Sequence, residues 1–283
     1  MLTCAEHAQP QHKFSGVGCK YENHNNNKMN YFEPKNTAKR YAVGRPKFHS
    51  VTIDRIKTHL NLKEKLDKAL DIACGTGLST DALLSIAKNV FGTDASAEML
   101  NNAISKDNIH YSLSFAENQP FSENEFELIT VCSGIHWFNI DDFLKEANRL
   151  LKINSHLVIY DNFFNSEMVE NQSFNEWFPN NYLNKFPTPK RNNSFDWSNS
   201  NLNKFGFKLI KDDHFKNEIT FNKKELILYF TTQSNISDAI QRGESYVDIE
   251  SWLNAELSPF FENNDVKKTF KFGNWIKYIQ RIK

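Results

Sequence analysis

No stretch of this 283-residue chain is a long apolar run; none approaches the roughly 18 consecutive apolar residues of a membrane-spanning helix. The first residues also lack the apolar core of a secretory signal. Cysteine is scarce. Cys4, Cys19, Cys74 and Cys132 show no metal-ligand spacing, which argues against a disulfide framework and a cysteine-metal site. Cys74 and Cys132 sit inside apolar runs and read as small buried thiols. His49, His59, His110, His156 and His214 have no ligand spacing either, so no metal is expected. An excess of one charge is missing too, since 34 basic and 34 acidic residues cancel. Balance of this kind gives no electrostatic reason for a nucleic-acid or anionic-membrane partner. The expectation is a cytoplasmic protein, monomer or homodimer, whose partner is a small molecule.

What is present is a phased alternation. "KALDIA" (68–73), "NVFGTD" (89–94), "IHYSLS" (109–114), "FELITVCS" (126–133) and "HLVIYD" (156–161) read as short apolar strands. Between them "LSTDALLSIA" (78–87), "AEMLNNAIS" after the capping Ser96, and the amphipathic "DDFLKEANRLL" (141–151) read as helices. Another helix precedes them over 47–62. Near-continuous apolar strands alternating with helices predict an α/β fold, a doubly wound, mostly parallel sheet covered on both faces.

The ends of the chain differ from this core. Residues 1–28 are polar, unpatterned and expected to be disordered, and 29–162 form the α/β core. Residues 163–205 are an aromatic insertion with Trp177, Phe178, Tyr182, Phe186, Phe195 and Trp197, either a cap over the site or a small satellite core. Residues 206–283 supply two further strands, near 206–215 and 266–282, with helices between. Lysine exceeds arginine and asparagine is abundant, which an AT-rich genome explains without function.

The turn "DIACGTGLST" (71–80) identifies the ligand class by what it lacks. Gly75 and Gly77 match the first two glycines of a dinucleotide fingerprint, but Thr80 stands at the third. No Gly-Lys-Ser/Thr end marks a P-loop. Asp71 would repel a polyphosphate and suits a cationic amine, although it could equally brace the turn. Asp94 closes the second strand, where a carboxylate can accept from both ribose hydroxyls. A nucleoside carrying an amino-acid tail meets these demands, and S-adenosylmethionine (AdoMet) is such a ligand.

At this point the chain resembles a known family. "LDIACGTGLST", "VFGTDASAEML", "FAENQPF", "FELITVCSGIHWF" and "EANRLLKINSHLVIYD" follow one another as in the class I AdoMet-dependent methyltransferases, in particular the small trans-aconitate-like, type 11 group. "RYAVGRPKFH" (40–49) resembles that group's Y-x-x-x-R-P-x-Y entry segment. The resemblance spans about residues 38–162 and implies a Rossmann-like sheet of seven strands, the last antiparallel. It implies a cofactor pocket of Tyr41, Arg45, Asp71, Ala73, Gly75, Gly77, Asp94, Ala95, Met99, Ala116 and Glu117. Phe115 departs from the polar residue common before the Ala-Glu pair, so no side-chain acceptor for the adenine amine is expected there.

The chemistry is expected at the carboxyl end of the fourth strand. His136 stands there, as base, substrate contact or structural residue, with Trp137 and the more distant Trp177 as substrate contacts. No N/D-P-P-aromatic motif follows that strand, which disfavours methylation of a base amine. The implied function is methyl transfer from AdoMet, releasing S-adenosylhomocysteine, to an oxygen or carboxylate of a small molecule. The rival readings are an RNA or protein methyltransferase and a non-catalytic AdoMet-binding regulator.

Overall fold

The computed structural model describes residues 35–191 and 194–283. The stretch 1–28, expected to be disordered, lies outside the described residues. In chain order the first elements are α1 (Lys35–Gly44), α2 (His49–His59), β1 (Leu66–Ile72), α3 (Leu78–Leu83), β2 (Ala87–Asp94), α4 (Ala97–Asn101), β3 (Ile109–Leu113), β4 (Phe126–Cys132), α5 (Ile140–Leu150) and β5 (Leu151–Met168). Then come α6 (Ser173–Trp177), α7 (Leu183–Lys185), α8 (Asn199–Leu202), β6 (Phe207–Phe221), α9 (Lys223–Phe230), α10 (Ser234–Gln241), α11 (Tyr246–Leu257) and β7 (Lys268–Arg281). The strands form one seven-stranded sheet in the order β3-β2-β1-β4-β5-β7-β6. Its left side is parallel, and β7 is antiparallel to both its neighbours.

Two-residue alternation sorts the strand side chains onto two faces. Leu70 and Ile72 of β1, with Ile129 and Val131 of β4, pack on Phe143, Leu144 and Ala147 of α5. Ala69, Leu128 and Val158 point the other way, against Ile53 and Ile56 of α2 and Leu83 of α3. Both faces are thus buried, as the continuous apolar strands require. Chain order reverses between β1 and β4. At such a reversal neighbouring connections diverge and leave a crevice outside the strand ends.

The elements depart from the sequence expectation at their ends. The fifth strand was expected over 156–161 but runs from Leu151 to Met168. Its extension pairs with β7, for example Phe164 opposite Phe272 and Met168 opposite Phe270, and β7 in turn pairs with β6 as far as Phe221. This antiparallel ribbon carries a second core, in which Phe174, Phe230, Leu253, Phe270 and Phe272 are almost fully buried. The helix expected over 78–87 stops at Leu83, because tight bonds Leu84 N to Asp81 O and Ile86 N to Leu83 O turn the chain into β2. Residues 35–44, which carried no helical pattern, form α1. Tertiary bonds hold it there. Arg40 Nε donates to Thr231 O at 3.4 Å and Arg45 Nη2 to Thr232 O at 3.2 Å, so two cations sit on the carbonyls that end α9.

Candidate active site

The turn after β1 is the sharpest in the fold. Ala73 (φ 57°), Gly75 (φ 54°) and Gly77 (φ 79°) alternate into left-handed conformation. A Cβ on Gly75 would meet only a Tyr41 ring carbon, at 3.8 Å, so this glycine borders open space. Gly77 has a different reason. A Cβ there would stand 2.1 Å from Tyr111 Oη, so its missing side chain makes room for a tyrosine. Assigning Gly77 to the ligand is therefore corrected: it does not line the cavity.

Asp71 also changes role. It is fully buried, accepting from Ser79 Oγ (2.6 Å), Thr80 Oγ1 (2.8 Å) and Thr130 Oγ1 (2.8 Å). Burial pushes its pKa up to about 6, against the three hydroxyl donors, which favour the charged form. These three partners are internal, and Asp71 does not reach the cavity. The acid braces β1, α3 and β4 together, and Thr80, standing where a third glycine was sought, is one of its donors.

Asp94, at the end of β2, is held by the backbone. Its Oδ2 accepts from Gly75 N at 2.8 Å and its Oδ1 from Ser96 N at 2.9 Å. The same Ser96 caps α4, its Oγ accepting from Met99 N. These bonds fix the carboxylate at the wall of a cavity of about 830 Å³ outside the carboxyl ends of the strands. Tyr41, Arg45, Ala73, Gly75 and Asp94 line it on the β1–β2 side, followed by Ala95, Met99, Ala116 and Glu117. Glu117 is oriented by Asn139 N, which donates to its Oε1 at 2.7 Å. Of the eleven residues expected at the cofactor, Asp71 and Gly77 alone do not line it.

The cavity continues past β4 and β5 beneath the second core. His136 and Trp137 line it, with ring centroids 4.6 Å apart. Burial, with a smaller push from Arg191, lowers the His136 pKa to about 4, so the imidazole is neutral at pH 7. No hydrogen bond from the described residues ties it to backbone. Trp177 is corrected from a substrate contact to a core residue: it is buried, its Nε1 donates to Glu256 Oε2 at 2.7 Å, and it does not line the cavity. The aromatic insertion divides its labour. Phe178, Tyr182 and Leu183 belong to the second core and also line the cavity, Trp177 and Phe186 build that core away from the cavity, and Phe195 with Trp197 pack on the α5 side of the sheet.

Sequence reasoning missed Asp161, Phe164, Arg191, Tyr229 and the run Gln233–Asn235, all of which line this far half. Asp161 Oδ1 accepts from Ser133 Oγ and from Asn162 N. Asp161 closes the fifth apolar run as Asp94 closes the second, and that parallel was the available signal. Beside it Asn162, Asn217 and Asn274 join their amides across three strands, at 2.7–3.1 Å. Burial lowers the Arg191 pKa and Arg45 adds to this, while Asp161 and Tyr229 oppose it. Among the described residues no group of three or more His, Cys, Asp or Glu could hold a metal, and no helix is long and apolar enough to cross a membrane.

Comparison with known proteins agrees with this geometry. Residues 70–159 match a family described as a methyltransferase domain, type 11. A Dictyostelium discoideum protein bearing a methyltransferase name is 37% identical over 123 residues, 44% of this chain and 46% of that protein. A demethylmenaquinone methyltransferase of Staphylococcus saprophyticus is 36% identical over 117 residues, 37% of this chain and 48% of its own. The chain thus spans about half the length of these curated relatives. A solved structure from Anaeromyxobacter dehalogenans, described as a type II methyltransferase, superimposes with a TM-score of 0.60 at 15% identity, covering 88% of this chain and 97% of that one, a likeness of fold. Residues 70–159 thus carry a methyltransferase domain, and the sheet order is that of the class I methyltransferase fold.

Proposed function

We propose that this chain binds AdoMet in the β1–β2 half of the cavity and methylates an oxygen or carboxylate of a small molecule held in the half beneath the second core. One observation carries the reading. A single cavity joins the Gly75–Asp94 turn to the His136–Asp161 region, so cofactor and acceptor would share one space. The residues present suit the cofactor: Gly75 borders open space, and backbone N–H groups fix the Asp94 carboxylate at the cavity wall. Tyr41, Ala73 and Gly75 would surround the methionine part and Asp94 the ribose hydroxyls. Met99, Ala95, Ala116 and Glu117 would surround the adenine.

AdoMet supplies a methyl group on a sulfonium, already a good leaving group. The protein's share is therefore positioning and exclusion of water. Trp137, Phe164, Tyr182 and Phe230 provide the apolar walls. A carboxylate acceptor needs no base. A hydroxyl acceptor would find His136 as a hydrogen-bond acceptor, since the imidazole is neutral at pH 7 and titrates near 4. Activity is therefore expected to show no histidine limb between pH 5.5 and 8, which a pH–rate profile checks; a limb near the ordinary imidazole value of about 6.5 would refute the assignment.

Calorimetry with AdoMet, S-adenosylhomocysteine and NAD tests the cofactor. Heat with the first two and none with NAD is expected, and the reverse would end this reading. Transfer of labelled methyl from AdoMet into fractionated cell extract then finds the acceptor. Label entering only RNA or protein would replace the small-molecule reading, and binding without any transfer would point to a regulator.

A further inference from the structure

Two sharp turns meet where the order of the sheet reverses. Ala73 follows β1 at φ 57°, Ser133 follows β4 at φ 54°, and the two strands are neighbours. A Cβ on Gly134 would stand 2.8 Å from the Ala73 Cβ, so that glycine lets the second turn press against the first. Left-handed backbone is unfavourable for residues other than glycine, and a serine kept there marks a position that its side chain specifies. The backbone N–H of Ser133 donates to Tyr160 O at 3.0 Å, and its Oγ donates to Asp161 Oδ1.

The serine holds the acid in place. Asp161 Oδ1 accepts from Ser133 Oγ and from Asn162 N, and its Oδ2 has no hydrogen bond among the described residues. Both residues line the cavity. Asp161 stands at the junction of the two halves. The Tyr41 hydroxyl, on the cofactor side, lies within electrostatic reach of Asp94 and Asp161 alike, and Arg191, on the far side, lies within reach of Asp161 as well. In-line transfer puts the attacking atom beside the methyl group, which is at that junction. His136 lines the same space, but no hydrogen bond among the described residues fixes its ring, so it offers a contact where Asp161 offers a fixed acceptor.

We propose that Asp161 is a catalytic residue that takes the proton of a hydroxyl being methylated, and that Ser133 positions it. This rests on the AdoMet reading of the same cavity and adds a proton acceptor to it. The hydroxyl oxygen forms a bond to the methyl carbon, and the carbon–sulfur bond breaks with its electron pair left on sulfur. The hydroxyl proton passes to Asp161 Oδ2. The products are a methyl ether, S-adenosylhomocysteine and a protonated Asp161, which then loses its proton to water. A carboxylate in the acceptor's place has no proton to give and meets the like charge of Asp161.

The experiment uses the full chain, with S-adenosylhomocysteine calorimetry and transfer of labelled methyl from AdoMet into fractionated cell extract. Asp161→Asn is expected to keep S-adenosylhomocysteine affinity within about twofold and to lower transfer by about 100-fold or more. Asp161→Ala should lose as much and recover part of it with added formate, a carboxylate that cannot repair a structural defect. Ser133→Gly removes the hydroxyl but suits φ 54°, so its melting temperature should stay near the parent's while transfer falls by about tenfold. A fall in melting temperature with transfer unchanged would make Ser133 structural and overturn its positioning role. Parental transfer by Asp161→Asn, no rescue by formate, or a methyl ester as the labelled product would each overturn the inference and leave the cofactor reading standing. Loss of S-adenosylhomocysteine affinity in Asp161→Asn would also overturn it, by making Asp161 a cofactor contact. A parent that binds S-adenosylhomocysteine but transfers no label would overturn the inference, and a parent that does not bind it would overturn the cofactor reading beneath it.

Discussion

The parallel half of the sheet and its antiparallel extension build the two ends of one cavity by opposite means. Around β1 and β2 the site is made of neighbours: Gly75 and Asp94 are 19 residues apart, and Ser96 is two further on. Around β5, β7 and the second core it is made of distant partners. Arg45 meets Thr232 across 187 positions, Asn162 meets Asn274 across 112, and Trp177 meets Glu256 across 79. A local turn keeps its geometry wherever the sheet reproduces it. A site assembled from distant segments can change its lining with any of them, which suits a common cofactor at one end and a particular acceptor at the other.

The sharpest way to separate the halves is to damage one core. Phe174 is fully buried among Trp177, Phe260 and Phe270, so Phe174→Ala is expected to cost about 3–5 kcal/mol in unfolding free energy. Where the protein remains folded, S-adenosylhomocysteine affinity should be near normal; chemical denaturation with calorimetry reads both. Loss of cofactor binding in step with a loosened second core would show that the halves are one unit. Gly75→Val attacks the other side. It fills the space bordered by Tyr41 and forces a β-branched residue to φ 54°, so cofactor affinity should fall by about 100-fold or more with the second core intact. Retained affinity would mean the ligand does not approach that backbone.

Asp94→Ala is a milder cut. Removing a charged acceptor for the ribose hydroxyls should weaken S-adenosylhomocysteine by about 1–3 kcal/mol, with a lowered melting temperature because the Gly75 and Ser96 N–H groups lose their acceptor, and unchanged affinity would refute the ribose assignment. Asp71, by contrast, acts on stability. Its carboxyl releases its proton near 3.8 in the unfolded chain and near 6 in the folded one. Between those values the folded chain holds the extra proton, so this group's contribution to stability falls as pH rises from about 4 to about 6 and then levels off. Comparing the parent with Asp71→Asn by denaturant titration from pH 4 to 7 should show the parent losing about 1–2 kcal/mol relative to the variant. A difference that stays flat with pH would remove Asp71 from the list of strained buried acids.

The same contrast explains what could be read from the sequence. The turn after β1, the acid closing β2, the Ser96 cap and His136 after β4 were legible because each is specified by a few adjacent residues. Asp71 and Gly77 were located correctly but given the wrong partner. A carboxylate beside a glycine turn looks like a ligand contact until the hydroxyls of Ser79, Thr80 and Thr130 are seen to close on it, and Thr130 comes from another strand. The full length of β5 was hidden because "NFFNSEM" has no period of its own and is ordered by β7, more than 100 residues later. Trp177 could not be told from its neighbour Phe178, although both join the second core and only Phe178 also reaches the cavity, because a helical turn decides it.

The straps from Arg40 and Arg45 to the end of α9 bear on how the protein is made. They join α1 to carbonyls 191 and 187 positions away, and Tyr229 and Gln233–Asn235 complete the cavity wall from the same late segment. During synthesis the glycine turn and its acid can find each other as soon as β2 has emerged. The chamber cannot close until residue 235 has left the ribosome. Loop closure over that span makes this the slow, high-contact-order step of folding. A nascent chain would therefore acquire the elements of cofactor recognition well before it could enclose a second ligand.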